Sequence, residues 1–151
     1  MSVSARLAEL GLELPAVAAP LAAYVPAVRT GNLVFTAGQL PMVDGKLVRT
    51  GKVGAAVTPE QAAELARIAA FNALAAVDAL VGLDAVTRVV KVVGFVASAP
   101  GFTGQPAVIN GASTFLGEVF GESGAHARSA VGVSELPLDS PVEVELVVEI
   151  A

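Results

Sequence analysis

The chain has 151 residues, 54% of them hydrophobic and 15% charged, with a net charge of −5. That fits one domain with a sizeable core, and an acidic chain without a basic cluster is a poor partner for nucleic acid or an anionic membrane. With no cysteine and a single histidine, disulfides, thiolate catalysis and Cys-ligated zinc are excluded, and no HxxxH or HExxH spacing offers a metal site.

In chain order, residues 3–10 read as a short helix ended by Gly11. Pro15, Pro20 and Pro26 then make an irregular entry. Arg6, Glu9 and Glu13 interrupt the apolar N-terminal stretch, so no apolar run reaches membrane-span length. A cytoplasmic location is the expectation. "AVRTGNLVFTAGQLP" (27–41) reads as strand, tight Thr-Gly-Asn turn, strand, and Asp44-Gly45 marks a second, small hairpin. The main helix opens at "TPEQ" (58–61), with Thr58 as N-cap, Pro59 at the first helical position and Gln61 completing a capping box. It runs to about Leu80, and Gly82 ends it. One side carries Glu60, Glu64, Arg67 and Asp78; the other carries Ala62, Leu65, Ala66, Ala69, Ala73, Ala76 and Leu80. So small an apolar face allows close approach to a sheet.

Residues 85–100 form a β-branched strand, and a second helix is expected within 105–121. "AHARSAVGV" (125–133) opens a strand, and "SPVEVELVVEI" alternates Val142, Val144, Leu146, Val148 and Ile150 with Glu143, Glu145, Val147 and Glu149. The order β-β-α-β-α-β-β predicts an α+β domain: a mixed sheet with both helices on one face. The Glu-bearing face must then meet water or another subunit. The low charge density points to an oligomer, or to an Ala-rich core.

The strong catalytic motifs are missing. There is no GxGxxG before a helix and no GxSxG elbow, and "RTGKVG" lacks the Ser/Thr and the earlier Gly of a P-loop. Individual residues remain as candidates, each with a plain alternative. Arg128 could grip a carboxylate with its planar fork, or pair with a nearby Glu, which composition alone favours. His126 could serve as a base or be a surface imidazole, and its place before the strand favours the surface. Glu143 could hold a water or shuttle a proton, or be one of several solvated glutamates. Tyr24 could orient a substrate or tip a core aromatic. Asn72, in the Ala-rich helix, reads as a pin for a neighbouring loop. Asn110, before Gly111, reads as a turn or cap residue.

Three segments taken together carry a family resemblance: "AAYVPAVRTGNLVFTAGQLP", "AFNALAAVDALVGLDAVTRVVKVVGFV" and "ARSAVGVSELPLDSPVEVELVVEI". In this order and spacing the chain resembles the RidA/YjgF family of small trimeric enamine/imine deaminases, from about residue 22 to the end. The resemblance implies a chorismate-mutase-like fold, a homotrimer with clefts between subunits, and a hydrolase that needs neither cofactor nor metal. It places the carboxylate clamp on Arg128, the water-positioning acid on Glu143, the pocket Tyr on Tyr24, the pocket-wall Gly on Gly38 and the pocket Asn on Asn110. The expected domain is 21–151, preceded by an extension at 1–20 that bears the short helix. The expected ligand is a small carboxylate-bearing metabolite, deaminated to a 2-keto acid and ammonia. The alternative is a non-catalytic carboxylate-binding or regulatory trimer of the same fold. Three departures mark a divergent subgroup: Ala37 before the glycine, Ala130 two after the arginine, and Gly124-Ala125-His126-Ala127 ahead of it.

Overall fold

The computed structural model describes residues 1–17 and 23–151. Pro20 and the expected boundary at 20/21 lie outside them. The elements are α1 (Val3–Glu9), β1 (Ala27–Thr30), β2 (Leu33–Thr36), β3 (Met42–Val43), β4 (Lys46–Leu47), α2 (Pro59–Val81), β5 (Val86–Ala97), α3 (Gln105–Phe120), β6 (Ala127–Val133) and β7 (Val142–Ile150). Five strands make one sheet in the order β1-β2-β7-β5-β6, and β3 and β4 form a separate hairpin. The β5–β6 pair is parallel and its crossover contains α3; the other pairs are antiparallel. This is the mixed sheet that the element order predicts.

Alternation sets the layers. Val142, Val144, Leu146, Val148 and Ile150 of β7 are buried, and so are Val89, Val92 and Val96 of β5. They meet Leu65, Ala66, Ala69, Ala73 and Leu74 of α2 and Val108, Ile109, Phe115 and Leu116 of α3 in one core. Both helices therefore cover the same face. α2 starts with the Thr58/Gln61 capping box and stops at Gly82, whose φ of 80° a side chain would resist. Leu80 departs from the expected buried stripe: it is exposed in the last turn of α2, near the chain entry at Val25 and Pro26. Phe71 packs edge-on against Phe115, with ring centroids 5.6 Å apart.

Two polar contacts fasten the periphery. The buried Asn72 amide donates to Leu40 O and Met42 O, both at 3.0 Å, so it pins the segment leading into β3 as the sequence suggests. Asn72→Ala would strand those carbonyls, and we expect a loss of about 2 kcal/mol, read as a shifted urea midpoint.

The second contact docks α1. Ser4 donates its backbone N–H to Asp84 Oδ1 at 2.8 Å and its hydroxyl to Oδ2 at 2.9 Å, while Leu7 joins the core. The Ser4 amide, then its hydroxyl, hold the Asp84 carboxyl below its ordinary value of 3.8. A lowered folded pKa stabilises above the unfolded value and loses that contribution as pH falls through the folded one. Hydrogen exchange at the Ser4 amide should therefore lose protection on acidification below pH 3.8, and Asp84→Ala should remove that dependence.

Candidate functional site

Arg128 lies on β6, an edge strand. Its register partner Val92 faces the helices, so Arg128 faces them too. Its Nη1 donates to Asn110 Oδ1 at 2.7 Å and to Ser113 Oγ at 3.2 Å, and its Nη2 reaches Pro106 O at 3.4 Å. All three acceptors belong to α3. The carboxylate partner that composition favours is not used: among the described residues the ion pairs are Arg6–Glu9, Lys52–Glu135 and Arg67–Glu118. Neutral acceptors orient the guanidinium without neutralising it. They occupy the Nη1 hydrogens and leave the Nε–H and one Nη2–H on the opposite edge. That edge suits a carboxylate, which takes two parallel N–H groups.

His126 is not the lone surface imidazole that its position suggests. It is half-buried, with Nε2 2.9 Å from Ser113 Oγ and Nδ1 2.6 Å from Gly124 O. Asn110 is not a cap either. It sits inside α3, where its carboxamide accepts from Arg128. Ser113 carried no signal of its own. Its spacing of three from Asn110 was the available clue, because such residues share a helix face.

Glu143 is built from other elements. It lies on β7 opposite Phe95, on the face away from the helices. Gly38 packs on its carboxyl group: a Cβ at Gly38 would stand 2.7 Å from both Cδ and Oε2 of Glu143. The neighbouring pairing of Gln39 with Val144 holds this approach, through N–H to carbonyl bonds of 2.8 and 3.0 Å. Burial pushes the Glu143 carboxyl above its ordinary value of 4.5, and the charge of Glu145 adds to the effect. A raised folded pKa means that the folded state binds the proton more tightly. This group therefore costs stability increasingly as pH rises from the ordinary value through the folded one. Urea titrations between pH 4.5 and neutrality should show that decline, and Glu143→Gln should flatten it.

The predicted residues thus gather into two groups within one subunit. Asn110 and Arg128 meet on the helix side of β6. Gly38 and Glu143 meet on the open side of β7, with β5 between the two strands. Strand spacing and rise put the Arg128 and Glu143 backbones ~14 Å apart, with the side chains on opposite faces. Tyr24 is exposed and precedes β1, at the sheet edge opposite β6.

A family model described as "YjgF/chorismate_mutase-like, putative endoribonuclease" matches residues 4–150. The chain belongs to the YjgF/chorismate-mutase-like family. The match takes in α1 as well as the sheet. Protein TCP17 of Trypanosoma cruzi is 45% identical over 150 residues, covering 98% of this chain and 94% of that protein. Among solved structures, Atu1372 of Agrobacterium tumefaciens, a protein with unknown function, superposes with a TM-score of 0.91 at 46% identity, over 99% of this chain and 92% of that one. A "putative endoribonuclease" of Shewanella oneidensis gives a TM-score of 0.95 at 34% identity, over 99% of this chain and all of that one. The mixed sheet with helices on one face is the YjgF fold. Among the described residues no helix is long and apolar enough to cross a membrane, and no cluster of three or more His, Asp or Glu could hold a metal ion.

Proposed function

We propose that this YjgF-family chain is a hydrolytic deaminase of enamine and imine acids, acting in clefts between the subunits of a homotrimer. The observation that carries the reading is the Arg128 fork, held by α3 through neutral acceptors with one edge left for a carboxylate. An enamine acid first tautomerises to its imine. Arg128 binds the carboxylate and fixes the C=N carbon beside it. Water adds to the protonated imine while Glu143 accepts a water proton, a role suited to a carboxyl group that burial makes more basic than an ordinary glutamate. The carbinolamine then expels ammonia and leaves a 2-keto acid. The imine supplies its own electron sink, so the scheme requires no cofactor.

The separation of the residues supports the oligomer. Tyr24 and Arg128 sit at opposite sheet edges, and Glu143 lies on the far face from Arg128. A cleft that uses them together needs parts of two copies, and a head-to-tail contact of that kind gives a ring when its rotation closes, a three-fold one for a trimer. Val28 and Phe35, cross-strand partners on β1 and β2, and Val131 on β6 expose apolar surface that such a contact would cover. An RNA substrate fits less well, because a net charge of −5 opposes the phosphate contacts that dominate such binding.

The same separation favours a second reading. Carboxylate binding through Arg128 does not require Glu143, so the trimer could bind small carboxylates without turning them over. Ammonia release from freshly generated 2-imino acids divides the two. Release above the buffer rate that depends on both Arg128 and Glu143 supports the deaminase. Arg128-dependent thermal protection by a small carboxylate, without ammonia release, supports the binder. A solution mass of one subunit would sink the inter-subunit site.

A further inference from the structure

We infer that Ser113 and His126 are positioning residues for Arg128, forming a one-directional hydrogen-bond relay that fixes which edge of the guanidinium faces the ligand. The inference rests on the carboxylate reading of Arg128 and assigns the two side chains behind it.

For a neutral imidazole, the direction of each bond follows from which groups can donate. The Gly124 carbonyl only accepts, so His126 Nδ1, 2.6 Å away, carries a hydrogen. A guanidinium only donates, so Ser113 Oγ accepts from Arg128 Nη1 at 3.2 Å. The Ser113 hydroxyl hydrogen is then free to point at His126 Nε2, 2.9 Å away. In the Nδ1–H tautomer that nitrogen is an acceptor. Arg128 thus donates to Ser113, Ser113 to His126, and His126 to Gly124, with Ser113 and His126 each accepting one bond and donating the next.

The far end of the relay is rigid. Gly124 closes the 3₁₀ turn Gly121–Gly124 and is buried, and a Cβ there would lie 2.5 Å from Leu116 O. The turn is therefore packed directly on the backbone of α3. Asn110 holds the other Nη1 hydrogen. With both hydrogens held and Nη2 on Pro106 O, rotation about the terminal side-chain bonds would break three contacts at once. The Nε–H and the second Nη2–H are what the fork then offers a ligand. Removing Ser113 Oγ would free one hydrogen, let the fork swing about Asn110, and leave Nε2 of His126 without its donor.

The chain has one histidine, so its imidazole can be read directly. In long-range ¹H–¹⁵N spectra of the 151-residue chain, His126 should show the Nδ1–H tautomer, and Ser113→Ala should shift the Nε2 signal. With pyruvate as probe, Arg128→Ala should abolish binding. Ser113→Ala should weaken it roughly three- to tenfold at an unchanged melting temperature, and Ser113→Thr should restore it. His126→Gln, which can accept through its amide oxygen, should bind better than His126→Ala. An Nε2–H tautomer, or Arg128-dependent binding that Ser113→Ala leaves unchanged, overturns the relay and spares the carboxylate reading. Wild type and Arg128→Ala binding pyruvate alike, or neither binding it, overturns the carboxylate reading and the inference with it.

Discussion

Arg128→Ala should lower kcat/KM for 2-imino acids by roughly 100-fold and leave the fold intact. The free edge of the fork offers a carboxylate two charge-assisted hydrogen bonds, each worth about 1.5–3 kcal/mol. Their sum spans factors of roughly 10² to 10⁴ in rate or affinity, and we take the low end because Arg128 is only half-buried. The fold should tolerate the change. Asn110 is exposed and Ser113 half-buried, so water can replace the guanidinium at both. Ammonia release at subsaturating substrate, together with a thermal melt, reads the two effects separately. A variant that keeps wild-type kcat/KM would remove the carboxylate clamp from the mechanism. A variant that melts far below wild type would make Arg128 a structural residue first.

The largest expected effect on stability is at Gly111. α2 and α3 cross there at backbone contact: a Cβ on Gly111 would fall on the Ala63 carbonyl oxygen, inside van der Waals range, and 3.0 Å from Ala63 Cα. Two effects oppose each other in Gly111→Ala. Alanine is the better helix former, by about 1 kcal/mol. Against this, the obstacle is helix backbone, which cannot rotate aside as a side-chain tip can. Overpacking of that kind costs about 1–3 kcal/mol and at times more. The clash should dominate, because relieving it means parting two helices that share Ile109, Phe115 and Leu74 in one core. We expect a net loss of about 2 kcal/mol or more, seen as a lower urea midpoint. The displaced α3 would also carry Asn110 and Ser113 away from Arg128, so pyruvate affinity should fall with stability. A variant as stable as wild type would show that the crossing can open at little cost.

Much of the chain announces its local structure. Thr58, Pro59 and Gln61 mark the start of α2, Asp44-Gly45 marks the small hairpin, and the alternation of β7 separates its two faces. Each of these signals depends on neighbours within a few residues, which is why they can be read in one dimension. Arg128 and Glu143 are picked out the same way, through short flanking segments that resemble a family. What those residues touch is another matter. The acceptors of Arg128 lie 15, 18 and 22 positions away on α3, and no local pattern joins them. Composition favoured a glutamate partner because it counts charges without placing them.

His126 and Asn110 show the same limit. Read locally, one is a surface imidazole and the other a residue before a turn. The parallel β5–β6 crossover brings α3 across β6, and the histidine, serine, asparagine and arginine then meet. The sequence by itself determined the kinds of element, their order, the buried face of β7 and the residues with chemistry to offer. Folding decided which of those residues share a site and how their hydrogen bonds are directed. It also put Arg128 and Glu143 on opposite faces of one sheet. The cause is physical: periodicity and capping are short-range, whereas hydrogen-bond partners across a crossover are chosen by how helices pack on a twisted sheet.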